Sequence, residues 1–230
     1  MNCPGVWKSS ILSGMARVIA VANLKGGAGK STIAVNLAGE LFGKKHSMTV
    51  VDADAQGTAT YWATAGRLPF PVESLPFENA RDAKRWAARV LEIDTDYVVI
   101  DCPPHIGGAT EAALGIADLV LVPVTASGAD LASTLKALDL IHEVRDVRDD
   151  GAPACLMIPS KVDSRTALGR EIAEVLVQFG EEVGPPVHQR VAFVESFGQG
   201  QWIGDFEAEG PAHQDIIELA AAVRGIFKKK

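Results

Sequence analysis

A glycine-rich segment near the N-terminus has the residue types of a phosphate-binding loop. It consists of Lys25, Gly26, Gly27, Ala28, Gly29, Lys30, Ser31 and Thr32. The glycines allow successive backbone N–H groups to turn toward an anion, and a helix N-terminus behind them adds partial positive charge. In such a loop Lys30 would reach the β- and γ-phosphates and the Ser31 hydroxyl would ligate Mg²⁺. The segment therefore predicts a site for a nucleoside triphosphate.

Three carboxylates follow apolar runs that have the character of strands. Asp52 and Asp54 come after the run at 48–51, and Asp101 closes the run at 97–100. Ligands of open parallel sheets gather at the carboxyl ends of the strands, so these acids should lie beside the phosphate loop. A carboxylate that closes a buried strand is typical of a group that holds Mg²⁺ through water. Taken alone, Asp52 and Asp54 would more often form an acidic turn, but their place after a strand reverses that preference.

Strand and helix patterns alternate about six times along the chain, which predicts a doubly wound, mainly parallel α/β sheet. The predicted strands are 18–22, 48–51, 97–101, 119–124, 155–158 and a short one near 187; the predicted helices are 30–42, 58–64, 79–92, 129–148, 165–179 and 211–227. Residues 57–79 are poorly periodic and contain several prolines, so only a short helix is expected there.

Composition is compatible with one large core and a reducing compartment. The 230 residues are 47% hydrophobic and carry a net charge of −7, which argues against a surface covered with nucleic-acid contacts and leaves room for a local basic patch. Cys3, Cys102 and Cys155 form no disulfide framework or metal pair, which fits a cytoplasmic protein. Residues 1–14 lack a signal-peptide core and are expected to be a disordered extension or an expression remnant, with one domain at 15–230.

The phosphate-loop pattern, Lys-Gly-Gly-x-Gly-Lys-Ser/Thr, resembles the deviant Walker A ATPases of the ParA/MinD family. The resemblance covers residues 17–227 and implies a P-loop ATPase that uses ATP and Mg²⁺. It implies that Lys25 crosses a dimer interface to the partner's phosphates, so that a homodimer sandwiches two ATP molecules. It also implies catalytic roles for Lys25, Lys30 and Asp54, with Asp54 orienting the attacking water, and a metal shell at Ser31, Asp52 and Asp101. One departure is Ala55, where the family typically has proline.

The region after the predicted strand 155–158 resembles the family's adenine-contacting segment. The resemblance implies base contacts at Ser160 and Lys161. Further on, the loop at 198–209 carries Trp202 and Phe206, which we interpret as a lid over the base or as a contact for a partner.

The chain is most similar to short ParA proteins, which have no N-terminal helix-turn-helix. This implies an ATP-bound dimer that binds DNA without sequence preference, a nucleoid-associated location, and a small ParB-like adaptor that stimulates hydrolysis while a plasmid, chromosome or protein assembly is moved. Basic residues that could contact DNA phosphates, or could simply keep the surface soluble, are Lys161, Arg165, Arg170, Arg190, Arg224 and Lys228 to Lys230.

Two alternatives remain at this stage. In a MinD-type membrane ATPase, the apolar stripe Ile216, Leu219, Val223, Ile226 and Phe227 would bind a membrane surface, although core packing of that stripe is favoured. In a metabolic ATP-dependent enzyme on the same scaffold, a lysine at the position of Lys25 would usually be missing.

Overall fold

The computed structural model describes residues 16–43, 45–77, 82–105 and 107–229, except for the side chains of residues 129 and 130. The extension predicted at 1–14, Met15, Lys230 and the beginning of the helix predicted at 79 lie outside these ranges.

A parallel sheet forms the centre of the described chain. Its strands are β1 (Arg17–Val21), β2 (Met48–Asp52), β3 (Val72–Ser74), β4 (Tyr97–Asp101), β5 (Leu119–Thr125), β6 (Ala154–Val162), β7 (Glu182–Val183) and β8 (Val187–His188). They run in the order β3-β2-β4-β1-β5-β6-β7, and β8 also pairs with β6. Every strand pair found in the described residues is parallel, which confirms the predicted fold class.

Helices cover both faces of this sheet. They are α1 (Lys30–Leu41), α2 (Thr58–Ala63), α3 (Ala83–Leu91), α4 (Gly108–Ile116), α5 (Gly128–Val147), α6 (Ala167–Val177), α7 (Val191–Gly198), α8 (Ile203–Phe206) and α9 (Pro211–Lys229). Successive side chains of a strand point to opposite faces. On β1, Val18 and Ala20 therefore join the core under α3 to α6, whereas Ile19 and Val21 join the core under α1, α2 and α9.

Five elements were not predicted from the sequence, namely β3, α4, β7, α7 and α8. The strand β3 has three residues and lies between prolines, so its own pattern is too short to be recognised, and its pairing with β2 creates it. The helix α4 begins at Gly108, a residue of poor helix propensity, and is buried along most of its length. The strand β7 has only two residues.

The strand β6 is longer than predicted. It continues through Pro159 to Val162, so Ser160 and Lys161 belong to the strand and not to the segment after it. Proline has no N–H group to donate to a neighbouring strand, so the sequence pattern predicts a strand that ends before Pro159. Pro159 pairs with β5 on one side, and on the other side it falls between the residues that pair with β7 and those that pair with β8.

The apolar stripe of the last helix is part of the core. The members of the stripe on α9 are at most 8% exposed: Ile216, Leu219, Val223, Ile226 and Phe227. This burial favours core packing and leaves the stripe unavailable to a membrane surface. Among the described helices, none has the length and apolar character needed to cross a bilayer.

Candidate functional site

The register of the sheet brings the predicted site residues to one edge. Val21, the last residue of β1, is paired with Asp101 of β4, and Asp101 is paired on its other side with Asp52 of β2. The phosphate loop leaves β1 at this edge and ends where α1 begins. The loop, the two strand-ending acids and the segment after β2 therefore lie side by side, as the sequence predicted.

The phosphate loop needs glycine at its last turn. Gly29 is the N-cap of α1 and has φ +92°, a left-handed conformation that side chains disfavour. A Cβ atom there would also lie 2.8 Å from the Ser160 Oγ. The Ser160 hydroxyl donates to the carbonyl oxygen of Ala28 at 2.8 Å, so β6 supports the loop from behind. No side chain caps α1, which leaves the first N–H groups of the helix directed at the loop.

The side chain of Lys30 lies inside the loop, and its ammonium group contacts the loop backbone. Its side chain is buried, and Nζ donates to the carbonyl oxygen of Lys25 at 3.1 Å. Burial lowers the pKa of the Lys30 ammonium, and the nearby Asp101 and Asp54 carboxylates oppose that shift. The ammonium thus stays beside two carboxylates at the point where the predicted phosphates would lie.

Asp101 closes β4, and its carboxylate is buried. Within the described residues neither oxygen has a hydrogen bond of ordinary geometry. Burial, together with the charges of Asp52 and Asp54, raises the pKa of Asp101 to about 7, although the adjacent Ser31 hydroxyl and Lys30 oppose the shift. An orphaned carboxylate next to a serine hydroxyl and two other acids has the oxygen donors that Mg²⁺ requires. The residues present therefore fit a magnesium ion.

The Asp52 carboxylate is held by the loop and helix that follow it. Its Oδ2 accepts from the backbone N–H and the hydroxyl of Thr60 at 2.7 and 2.8 Å, and its Oδ1 accepts from the N–H of Asp54 at 3.2 Å. Asp52 thus fixes the first turn of α2 beside the acids. Asp54 is half-buried and accepts from the N–H of Gln56 at 3.0 Å.

Asn23 is a structural contact that the sequence analysis missed. It is buried, its Oδ1 accepts from the N–H of Lys25 at 3.3 Å, and its amide donates to the carbonyl oxygen of Pro123. It therefore ties the start of the phosphate loop to β5. A polar residue at the end of an apolar strand was the available signal, but Pro123 is 100 residues away in sequence.

A cleft of about 330 Å³ extends from the phosphate loop to α7. One end is lined by Gly29, Ser31 and Thr32. The walls further on contain the apolar side chains Ile33, Trp62, Phe193 and Phe197 and the polar residues Ser160, Lys161, His188, Gln189 and Arg190. A mainly apolar wall with a few polar groups is the usual lining of a small-molecule site.

Both residues that were predicted to contact the base, Ser160 and Lys161, line this cleft. The hydroxyl of Ser160 is already bonded to the phosphate loop. Lys161 has φ +52°, a conformation that is uncommon outside glycine, where the pairing of β6 with β8 shifts register. It also lines a second cleft on the side of Lys25 and Gly26. Their contact with a base remains a prediction.

The expected lid residue Trp202 belongs to the protein core. Its ring packs so closely against Gly39 of α1 that a Cβ there would lie 2.3 Å from it, and it makes an edge contact with His213 of α9. The interpretation of Trp202 as a lid is therefore wrong. The sequence signal misled because an aromatic residue in a glycine-containing loop is compatible with either role.

Residues 19–203, well over half of the chain, match the CobQ/CobB/MinD/ParA nucleotide binding domain. The chain belongs to this family. This ParA/MinD-type protein is 30% identical over 217 residues to Protein ParA of Rhizobium radiobacter, with 92% of this chain and 96% of that protein covered. It is 27% identical over 207 residues to the maintenance of carboxysome distribution protein A of Halothiobacillus neapolitanus, with 89% and 94% covered.

The fold of this family member agrees with solved structures. Apo McdA of Cyanothece superposes with a TM-score of 0.73 at 18% identity, covering 90% of this chain and 99% of that chain. The predicted resemblance is confirmed, and the chain is an ATPase of the ParA/MinD type that belongs to the partition and positioning group. The roles of individual site residues stay predictions at this point.

Proposed function

We propose that this ATPase closes into a homodimer around ATP and Mg²⁺, binds DNA without sequence preference in that state, and so positions a cargo. The observation that carries the proposal is the phosphate loop with both lysines, Lys25 and Lys30, next to the orphaned Asp101 carboxylate. The first lysine is the feature that separates the sandwich dimer from other uses of the scaffold. Residues 15–230 would act as one ATPase domain.

The phosphate end of the site follows from the loop geometry. The backbone N–H groups of residues 26–31 and the ammonium of Lys30 would hold the β- and γ-phosphates, and Lys30 would leave its present bond to the carbonyl oxygen of Lys25 to do so. Bound Mg²⁺ would neutralise charge on the phosphates. Ser31 and Asp101 would hold it, and Asp52, whose oxygens already accept hydrogen bonds from Asp54 and Thr60, would support this shell electrostatically.

Hydrolysis requires a water in line with the γ-phosphate. Asp54 lies in the segment between β2 and α2, half-buried and close enough to Lys30 and Asp101 to influence the pKa of each. We assign to Asp54 the orientation of that water, while Lys25 of the opposite subunit would stabilise the charge that develops on the phosphates. Positioning and charge then supply most of the catalysis.

The nucleoside would occupy the cleft toward α7. The apolar side chains Ile33, Trp62 and Phe193 offer surface to a base, and Lys161 stands at the boundary between the two clefts. ATP thus links β6, α1 and α7 within one subunit, with its phosphates reaching the edge where the second subunit would join.

DNA binding is proposed for the basic residues of the C-terminal third. Arg165 is 90% exposed at its side chain, and Lys229 is 73% exposed. Arg224 is half-exposed and donates to the carbonyl oxygen of Glu40. The contacts of these side chains with DNA phosphates would be weak in a single chain and sensitive to salt, and a dimer would double their number. A small adaptor, comparable to the partners of ParA proteins, would stimulate hydrolysis and release the DNA, which makes nucleoid association the expected location.

The experiment uses Asp54→Ala, which should bind ATP and hydrolyse it slowly. We expect this variant to bind a non-specific DNA duplex with ATP and not with ADP, and to lose most of that binding between about 50 and 200 mM salt. Lys30→Ala is the control, because it should not hold the nucleotide. Anionic liposomes are tested in parallel. Binding to liposomes but not to DNA would overturn the proposal and favour the membrane alternative, despite the buried stripe of α9.

A further inference from the structure

Asp215 of α9 forms a buried polar cluster beside the cleft. Its side chain is 8% exposed, and its Oδ2 accepts from the backbone N–H of His188 and from the Nε of Arg190, both at 2.9 Å. Its Oδ1 accepts from the Nη2 of Arg190 at 3.1 Å, and the Nδ1 of His188 is 3.1 Å from the same atom. The carboxylate therefore holds two cleft residues, His188 and Arg190, on either side of Gln189 in the β8–α7 connection.

Asp215 holds the β8–α7 connection on the side of α9. On the other side, His188 is paired with Val162 of β6, and the N–H of Gln189 donates to the carbonyl oxygen of Val162 at 3.0 Å. The connection is thus clamped between the strand that carries Lys161 and the final helix. Because Arg190 is also the N-cap of α7, its position sets where Phe193 and Phe197 enter the cleft.

The geometry of Arg190 leaves part of its guanidinium available. One edge, Nε and Nη2, is bonded to Asp215. Among the described residues, Nη1 has no hydrogen bond, and Arg190 lines the cleft together with the aromatic residues Phe193 and Phe197. A planar guanidinium that is held along one edge is already ordered. It can therefore stack on an aromatic ring, or donate to the ring from its other edge, at little further cost in conformational entropy.

Burying a carboxylate is costly, and this cost indicates a role beyond filling space. Two neutral apolar residues could attach α9 to β8 equally well, since a buried ion pair is often no more stabilising than apolar packing. What an ion pair with two parallel hydrogen bonds adds is a fixed orientation of the arginine.

We propose that Asp215 is a positioning residue for nucleotide recognition, holding Arg190 against the nucleoside part of ATP. The inference rests on the proposed function, because it assumes that ATP occupies the cleft. According to this proposal, α9 contributes to the affinity for the base and ribose, although it is not among the elements that line the cleft. It does not contribute to the affinity for the phosphates.

The test compares ATP with inorganic tripolyphosphate, which has the phosphates but no nucleoside. Dissociation constants are measured by calorimetry with Mg²⁺ for the wild type, Asp215→Asn, Arg190→Gln and the double variant. We expect each single variant to bind ATP about tenfold more weakly, the typical loss for a charged hydrogen bond. Tripolyphosphate affinity should change less than twofold. The double variant should be no weaker than either single variant, because both remove the same contact.

Glu181→Gln is the matched control. Glu181 accepts two hydrogen bonds from the guanidinium of Arg145, which also donates to the carbonyl oxygen of Pro153 at the amino end of β6. This variant breaks a comparable ion pair near the amino end of β6, whereas Asp215 acts near its carboxyl end. It should lower the thermal stability, as we also expect of Asp215→Asn, and leave the ratio of ATP to tripolyphosphate affinity unchanged.

Other outcomes separate the two claims. If ATP and tripolyphosphate weaken together in Asp215→Asn, or if neither weakens, the cluster is structural and the inference is wrong, while the proposed ATP site stands. Losses that multiply in the double variant would also overturn it. If the wild type binds neither ligand, the proposed function itself fails.

Discussion

The chemistry of the site depends on a small group of charged side chains around Asp101. This residue is buried at the end of β4, has no hydrogen-bond partner in the described chain, and has Lys30, Asp52 and Asp54 as charged neighbours. In the protein without ligands such an arrangement is unfavourable, because a desolvated carboxylate faces two others. A bound cation reverses the balance. The unfavourable electrostatic free energy of this arrangement in the ligand-free protein therefore indicates a functional role.

Asp101→Asn tests this reasoning. The amide keeps the shape and removes the charge, so in metal-free buffer at pH 8 we expect the free energy of unfolding to rise by about 1 kcal/mol or more. At the same time, Mg²⁺ should no longer strengthen ATP binding. Chemical denaturation and calorimetry with and without Mg²⁺ measure the two effects.

The pH dependence of that stabilisation has a definite sign. The pKa of Asp101 is raised to about 7, so between its ordinary value of 3.8 and about 7 the folded protein keeps a proton that the unfolded chain has lost. The free energy of unfolding of the wild type therefore falls as the pH rises through this range, and the variant Asp101→Asn lacks this dependence. The advantage of Asp101→Asn should consequently be larger at pH 8 than at pH 5. An equal or smaller advantage at pH 8 would contradict the account of Asp101.

At the scale of elements, α1 connects the phosphate loop to the rest of the molecule. Its first residue is Lys30, and its buried Asn36 accepts from the N–H of Ile203 at 2.6 Å. One turn further, Gly39 allows the ring of Trp202 to lie against the helix. The segment around α8 therefore supports α1 from behind, which is why the aromatic residue there is part of the core.

Gly39→Ala and Gly225→Ala form a matched pair that tests this packing. A Cβ on Gly39 would lie 2.3 to 2.7 Å from three ring atoms of Trp202, and we expect a loss of about 1–3 kcal/mol of stability. Gly225, inside α9, has open space at its Cβ position, so alanine should stabilise by about 0.5–1 kcal/mol through helix propensity. Thermal unfolding measures both. Equal effects in the two variants would contradict the close packing of Trp202 on α1.

The sequence predicted the elements whose patterns are long and local. The phosphate loop and the strands that end in Asp52 and Asp101 are recognisable because a continuous apolar run stands directly beside the residues that carry the chemistry. The remainder depends on contacts between distant residues. Ser160 acts on Ala28 from 132 residues away, and Asp215 acts on Arg190 from a different element. Neither contact leaves a periodic signal in the sequence, since pairing and packing create both.

At the scale of the whole molecule, the sheet order gives the site an exposed edge. The strand β1 lies between β4 and β5, so the loop that leaves it opens at the middle of the carboxyl edge, flanked by the acids on one side and by β6 on the other. Gly26 and Gly27 are exposed there. The phosphates would therefore be covered fully only when a second subunit closes over them, and Lys25 is the residue that we assign to that closure.

The most direct test of this account is the molar mass of Asp54→Ala in solution by light scattering, with Mg²⁺ and either ATP or ADP. We predict that the mass doubles with ATP and not with ADP, and that adding Lys25→Ala to the variant abolishes the doubling while ATP still binds. A mass that stays that of one chain with bound ATP would contradict the sandwich dimer. A dimer that persists without Lys25 would contradict the role of that lysine.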